Sequence, residues 1–340
     1  MHRSGTSALT GALGAAGFEL YRNDDGVEWV ESNPEHWESR TLTVYNEDLL
    51  IRLDGGWDAP PELPPGWTEG LGLPEELDPV RILDSTYPKR GPSVWKDPRL
   101  CLLLPFWREA LDPLAAVLVW RSPLDVARSL LRRDGIQLPD GIALWERYNR
   151  SALAALSGVA TYVLDYESVI EQPTSSINSL LEWLVSLRKF SDLDRSWDID
   201  AAVASIAGEL RHHAARAHGA DDSPLLAEQN QLVDHLSSLH GGHQPLDTDL
   251  TFGESPWTTA VLHLRRRLSA PNRELQRALE HNRELGDHLE VSLRELINMK
   301  QSTSWRLTEP IRALGARLQR ARTRPGGSSA GRSSGTALGR

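Results

Sequence analysis

Residues Ala115-Ala116-Val117-Leu118-Val119-Trp120 form an apolar run with no polar alternation, and they constrain the fold more than any other segment. A strand without a polar face has both faces covered, as in a parallel sheet between two helical layers. Thr161 to Leu164 reads as the next strand. Helical patterns lie at about 123–133 and 141–157, and amphipathic ones at 174–188 and 199–217. Strands separated by helices specify an α/β fold with a central parallel sheet. In such folds ligands bind beyond the carboxyl ends of the strands. Arg121 stands directly after the apolar run, at that edge.

The chain opens with a second informative segment, His2-Arg3-Ser4-Gly5-Thr6-Ser7, followed by the helical pattern of Ala8, Leu9, Leu13 and Ala16. A short Gly/Ser/Thr loop that feeds a helix N-terminus binds anions, because the first N–H groups lack helical partners and the dipole adds positive charge. Gly5 permits the turn, Thr6 and Ser7 add hydroxyls, and Arg3 adds a planar cation suited to phosphate or sulfate oxygens. The alternative is an ordinary side-chain-capped helix. The loop is not a Walker A sequence, since no Lys follows the glycine.

Two further segments carry chemistry. In Arg121-Ser122-Pro123-Leu124-Asp125-Val126-Ala127-Arg128-Ser129, Pro123 opens a helix and Ser129 lies about two turns along it. Arg121 and Ser129 can thus grip one phosphate from two elements; the alternative for Ser129 is a buried helix serine, and for Arg128, Arg132 and Arg133 a solvated basic face. In Val94-Trp95-Lys96-Asp97-Pro98-Arg99, a short strand ends near Trp95 and places Lys96 at the sheet edge. A surface ion pair in a turn is the alternative there. Upstream, Asn33-Pro34-Glu35-His36-Trp37-Glu38 brings acids to a helix start. A carboxylate beside a bound anion has a raised pKa, which suits a general base, whereas a solvated helix-start glutamate is the plain reading.

Together these segments resemble bacterial sulfotransferases, related to carbohydrate and tyrosylprotein sulfotransferases, over residues 1–215. The resemblance implies a three-layer P-loop-like fold and the donor 3′-phosphoadenylyl sulfate, with transfer to a hydroxyl and no required metal. It assigns Arg3, Ser4, Gly5, Thr6 and Ser7 to the 5′-phosphosulfate and Arg121 and Ser129 to the 3′-phosphate. Lys96 would assist the leaving group and Glu38 would take the proton, with Glu35 and His36 as neighbours of a similar kind. Arg3 joins Lys96 and Glu38 among the catalytic candidates. Such proteins also have an apolar strand just upstream of the first loop. Here only two residues precede Arg3, which raises the expectation that Met1 is an internal methionine. Two rivals remain: a P-loop nucleotide phosphotransferase, and a non-catalytic assembly protein with a degenerate transferase domain.

The chain has 340 residues, of which 40% are hydrophobic and 25% charged, enough for one large domain and an appendage. A net charge of -10 argues against broad nucleic-acid binding. No apolar run approaches a membrane span, and no signal peptide is visible, so a cytoplasmic protein is expected. The single cysteine, Cys101, sits among leucines and reads as a buried thiol. His212, His213, His218, His235, His240 and His243 lack metal-ligand spacing. Asp165-Tyr166-Glu167 resembles a segment common in sulfotransferases and is assigned a structural role.

The expected division is a transferase domain over 1–255, a helical coiled-coil-like extension over 256–322 and a disordered tail over 323–340. Leu268, Leu275, Asn282, Leu289 and Leu296 recur every seven residues, which points to a homodimer seam over about 268–300 or to a helix docked on the domain. Ser304-Trp305-Arg306-Leu307-Thr308 resembles a motif at the ends of bacterial glycosyltransferases and polysaccharide-assembly proteins. It favours a glycan as the hydroxyl acceptor.

Overall fold

The computed structural model describes residues 1–20, 37–69, 71, 78–86, 93–191, 196–213, 225–248 and 250–271, with positions 274, 275, 294, 298 and 299. Glu35, His36, most of the heptad seam, the segment 304–308 and the tail 323–340 lie outside the described residues. The chain divides into two compact units, Met1–Arg273 and Glu274–Arg340.

The first unit is mixed α/β. Helix α1 (Thr6–Ala15) leads to a short strand β1 (Glu19–Leu20). Helix α2 (Arg40–Arg52) begins where the Ser39 hydroxyl accepts the Leu42 N–H at 3.2 Å and fixes the start. Residues 53–69 are irregular, and the paired prolines and glycines lie among them. Helix α3 (Pro79–Thr86), strand β2 (Ser93–Val94) and helix α4 (Leu100–Trp107) come next among the described residues. Strand β3 (Ala116–Trp120) is the apolar run. Helix α5 (Pro123–Asp134) opens on its proline and stops at Gly135, whose φ of 69° ends it in the left-handed region. Helix α6 (Leu138–Leu156) packs closely on α5, and a Cβ at Gly141 would lie 2.8 Å from the Ala127 Cα. Strand β4 (Thr161–Asp165), helices α7 (Tyr166–Glu171), α8 (Pro173–Ser186), α9 (Ile199–His213) and α10 (Ala227–Ser238), and strand β5 (Gly241–His243) follow. A last helix, α11, covers 256–271.

The strands form two small sheets. β1 and β2 pair in parallel, Glu19 opposite Ser93 and Leu20 opposite Val94. β3 and β4 pair in parallel from Ala116–Thr161 to Trp120–Asp165. The third strand departs from the expected parallel pattern: β5 pairs with β4 antiparallel, Val163 opposite Gly241 and Thr161 opposite His243. Two of its three residues are glycines, and a Cβ on Gly242 would lie 2.0 Å from the Trp183 ring. A strand made so that a tryptophan can lie on it leaves no apolar pattern to read.

Both faces of the β3–β4 pair are covered. Leu118, Trp120 and Val163 belong to a core with Leu103, Leu130 and Tyr148, whereas Val119, Tyr162 and Leu164 belong to a second core with Leu9, Leu180 and Ile206. Helices from α4, α5 and α6 therefore lie on one face and helices from α1, α8 and α9 on the other. Among the described residues no helix is long and apolar enough to cross a membrane.

Helix α11 belongs to this first unit. Arg265 donates to the Asp58 carbonyl at 2.8 Å and to Asp140 at 2.6 Å, and Arg266 pairs with Glu62. Its N-terminus is held by Glu146, a fully buried carboxylate of α6. Glu146 accepts from the Ser255 N–H (2.8 Å), the Ser255 and Thr258 hydroxyls (2.9 and 2.7 Å), Gln229 (3.2 Å) and Arg150 (3.0 Å).

Burial pushes the Glu146 pKa up, but these bonds outweigh it and hold the group below the usual carboxylate range. A depressed folded pKa contributes stability above the unfolded value, lost as pH falls through the folded one. Glu146→Leu is expected to cost roughly 3–5 kcal/mol in urea unfolding at neutral pH. Glu146→Gln is expected to flatten the loss of stability below the normal glutamate pKa; an unchanged acid limb would remove Glu146 from that balance.

Candidate functional site

The opening loop, the β2 end, the β3 end and the start of α2 meet at one place. Gly5 is the N-cap of α1 with φ 85°, and no side chain caps the helix, so the side-chain-capped alternative does not hold. A residue with a Cβ would not fit at position 5, because that atom would lie 2.1 Å from the Tyr166 ring. Arg3 is also left-handed at φ 65°, a costly conformation for a side chain of its size.

Arg3 Nε donates to Ser129 Oγ at 2.8 Å, across 126 residues of sequence. This joins the opening loop to the Arg121–Ser129 segment. The Arg121 guanidinium lies over the Tyr166 ring at 4.4 Å, and its Nε is buried without a hydrogen-bond partner. Tyr166 thus has the loop glycine and Arg121 against it. The preceding Asp165 caps α7 by accepting the Ser168 N–H at 2.7 Å, which sets where the ring projects.

The charge around the loop is positive. Burial and the nearby Arg133, with Arg121 and Arg132, push the Arg3 pKa down, and Asp134 opposes them. Arg132 and Arg133 therefore bear on the site electrostatically, beyond the solvated basic face expected of them. Ser4 Oγ and His2 Nε2 are buried with no partner. Unpaired buried polar atoms cost about 1–3 kcal/mol each, so their clustering at one loop marks a place built for a further hydrogen-bonding group. His2 is held neutral, its pKa driven well down by burial and by Arg99 and Arg133. Its ring packs on Trp57 at 4.7 Å and on Tyr148 at 5.8 Å. Trp57 thereby enters the wall of the loop from the irregular stretch.

Lys96 and Glu38 form the second half of the site. Lys96 is buried, and its Nζ donates to Glu38 Oε1 at 2.5 Å and to Ser7 Oγ at 3.3 Å. It therefore touches the anion loop and the acid at once. The surface-pair alternative for Lys96 does not hold, since only 7% of its side chain is exposed.

Asp97 fixes the turn that presents it. Its Oδ1 accepts from the Arg99 N–H at 2.8 Å and the Arg99 guanidinium at 3.0 Å, and its Oδ2 accepts from Asn46 Nδ2 at 2.9 Å. Asn46 Oδ1 in turn accepts from Trp107 Nε1 at 2.8 Å. Arg99 also pairs with Glu47 and lies 3.9 Å from Glu38 Oε2. Burial raises the Glu38 pKa against the pull of Lys96, and burial lowers the Lys96 pKa against the pull of Glu38. Burial thus weakens the charged form of each group, and the partner's opposite charge restrains that shift.

Cys101, expected to be buried, is half-buried and accepts from the Met1 ammonium at 3.2 Å. Among the described residues no group of three His, Cys, Asp or Glu side chains is placed to hold a metal ion. Comparison of the chain with protein-family models, with curated proteins and with solved structures gives no match.

Removing the Lys96 charge removes the opposition to desolvation at Glu38. Lys96→Met is therefore expected to move the Glu38 midpoint further upward, read by carbon-13 NMR of the carboxyl group. A midpoint that stays or falls would show that Lys96 does not bear on Glu38.

Proposed function

We propose that the protein is a sulfotransferase that moves a sulfuryl group from 3′-phosphoadenylyl sulfate to a hydroxyl, with a glycan as acceptor. The observation that carries this reading is the Arg3–Ser129 bond of 2.8 Å, with Lys96 at Ser7 on the same loop. It joins the opening loop, the β3–α5 segment and the Lys-Asp-Pro turn, three sequence features that imply the same donor.

The residues fit an anion of that kind. Arg3, Ser4, Gly5, Thr6 and Ser7 supply a guanidinium, hydroxyls and a helix N-terminus for the 5′-phosphosulfate. Ser129 and Arg121 supply a hydroxyl and an unpaired N–H for the 3′-phosphate. The donor brings an activated sulfur. In the transfer the acceptor oxygen forms a bond to sulfur, and the bond from sulfur to the phosphate oxygen breaks. The leaving 3′-phosphoadenosine 5′-phosphate keeps that electron pair.

Lys96 offsets the charge that grows on the leaving oxygen. Glu38 receives the hydroxyl proton, which its raised pKa favours. The fold that goes with this reading is a P-loop-like α/β domain. No acid is assigned to a metal, and the loop lacks the Lys of a phosphotransferase.

The direct test is transfer of labelled sulfate from the donor to candidate glycans. Glu38→Gln is expected to lower turnover about 100-fold or more with donor affinity near normal. Near-normal turnover would move the base to another acid. Arg121→Ala is expected to weaken 3′-phosphoadenosine 5′-phosphate by roughly 1.5–3 kcal/mol in calorimetry and to leave the analogue without a 3′-phosphate unchanged. Equal losses would place Arg121 elsewhere. Failure to bind the nucleotide at all would favour a non-catalytic assembly protein.

The heptad leucines support a homodimer through residues 268–300. Leu268 and Leu275 are 72% and 60% exposed, as a seam awaiting a partner would be. Because α11 carries Arg265, a chain ending at Arg273 preserves the first unit. That chain is expected to be a monomer by light scattering and to bind the nucleotide as the full chain does; a full-length monomer would refute the seam.

A further inference from the structure

Glu38 meets Lys96 only if the chain delivers it there, and the residue just before it is a backbone outlier. Among the described residues, three that are not glycine have a positive φ: Arg3 in the opening loop, Asp54 after α2, and Trp37 at 48°. Trp37 stands immediately before Glu38. The left-handed region is costly for a side chain of this bulk, and the conformation persists only where the surroundings hold it.

The surroundings here are α1 and α9. A Cβ at Gly11 would lie 3.0 Å from Trp37 Nε1, 3.5 Å from Trp37 Cε2 and 3.4 Å from Ser205 Oγ. The edge of the indole and the α9 hydroxyl therefore meet on α1 at a position without a side chain. Glycine inside a helix weakens it relative to alanine, and Gly11 is buried within α1. A close approach accounts for it: the space of the missing Cβ is the seat of the ring. Trp37 Nε1 is buried with no hydrogen-bond partner. Fit, rather than a hydrogen bond, holds the ring.

Helix α1 also carries the anion loop. Gly11 lies between one and two turns beyond Gly5. Ser7, in the first turn, accepts from Lys96, and Lys96 donates to Glu38. The contacts close a circuit that runs from Glu38 through Lys96, Ser7, Gly11 and Trp37 and returns along the chain to Glu38. On the other side of Glu38, Ser39 is extended (φ -65°, ψ 124°) and caps α2. Glu38 is thus held between a ring lodged on the loop helix and the cap of the next helix.

We propose that Trp37 is a positioning residue for Glu38: the ring seated on Gly11, with the left-handed turn it holds, aims the carboxylate at Lys96 and fixes its place relative to the anion loop. The placement stands on the geometry alone. Its effect on turnover rests on the sulfuryl-transfer reading.

The test uses the full chain. Trp37→Gly tolerates the turn but has no ring. Its Glu38 is expected to leave Lys96 for water, so that the carboxyl midpoint in carbon-13 NMR falls toward that of an ordinary glutamate by roughly half a pH unit or more. The sign follows because burial is the largest influence on Glu38 and raises its pKa; of the charged groups that face it, Lys96 and Arg99 lower it and Asp97 raises it. In the Trp37→Gly background, Lys96→Met is expected no longer to move that midpoint, a loss of coupling that weaker packing alone does not produce. Trp37→Phe keeps a ring and has no N–H, and it is expected to restore both the midpoint and the coupling. Gly11→Ala supplies an independent arm. It favours the helix and takes the seat of the ring, so the midpoint is expected to fall while Tm does not. Turnover in Trp37→Gly is expected to drop about tenfold or more with donor affinity near normal, and Trp37→Phe is expected to recover it.

A native Glu38 midpoint in Trp37→Gly or in Gly11→Ala would overturn the assignment. So would a full Lys96→Met effect in the Trp37→Gly background, or a Trp37→Phe protein that behaves like Trp37→Gly. Absence of sulfate transfer by the native protein would sink the sulfuryl-transfer reading instead, and the midpoints would still decide the role of Trp37.

Discussion

The buried carboxylate of Asp97 is the constraint on which the site depends. It is 5% exposed, so its charge must be answered inside the protein. The answers come from Arg99 on its own turn and Asn46 on α2. Asn46 is itself pinned by Trp107 at the far end of α4. The turn after β2 is thus tied to α2, which begins two residues after Glu38 with Ser39 between them as its cap. Lys96 and Glu38 meet because the segments that carry them are fastened to each other by Asp97 and Asn46. Loss of Asp97 would leave Arg99 without its buried counter-charge and the Lys96–Glu38 geometry without its fastening.

Much of this was legible in the sequence, for a physical reason. Burial leaves periodic patterns, so the apolar run at Ala116–Trp120 and the helices with proline at the first turn were readable. Gly5 was readable because a tight turn before a helix leaves few residue choices. The Ser129 partner was not. Spacing places a side chain on a helix face but does not say which cation reaches it, and Arg3 reached Ser129 while Arg121 settled on Tyr166. Tyr166 was taken as structural because a ring carries no charge to advertise a site. Its role comes from the absence of a Cβ at Gly5, 161 positions upstream by the numbering of the two residues. β5 was invisible because glycines have no side chain to pattern.

The Lys96–Glu38 pair differs from a surface ion pair in its burial. In water an exposed pair of this kind contributes little. Here burial pushes both groups toward neutrality, and each restrains the other's shift. Arg99 adds positive potential at both groups.

The clamp from α11 has a consequence for how the chain is made. Arg265 binds Asp58 across 207 residues, and Asp58 follows Trp57, whose ring rests on His2 beside the anion loop. At roughly 5–20 residues per second, a ribosome spends about 10–40 s between those two positions. Over that interval the amino-terminal half is made, yet the wall beside its opening loop is not fastened. Completion of the pocket is therefore timed by synthesis of the carboxyl-terminal helix, and a nascent chain cut short of α11 carries the binding loop without the latch that secures its wall.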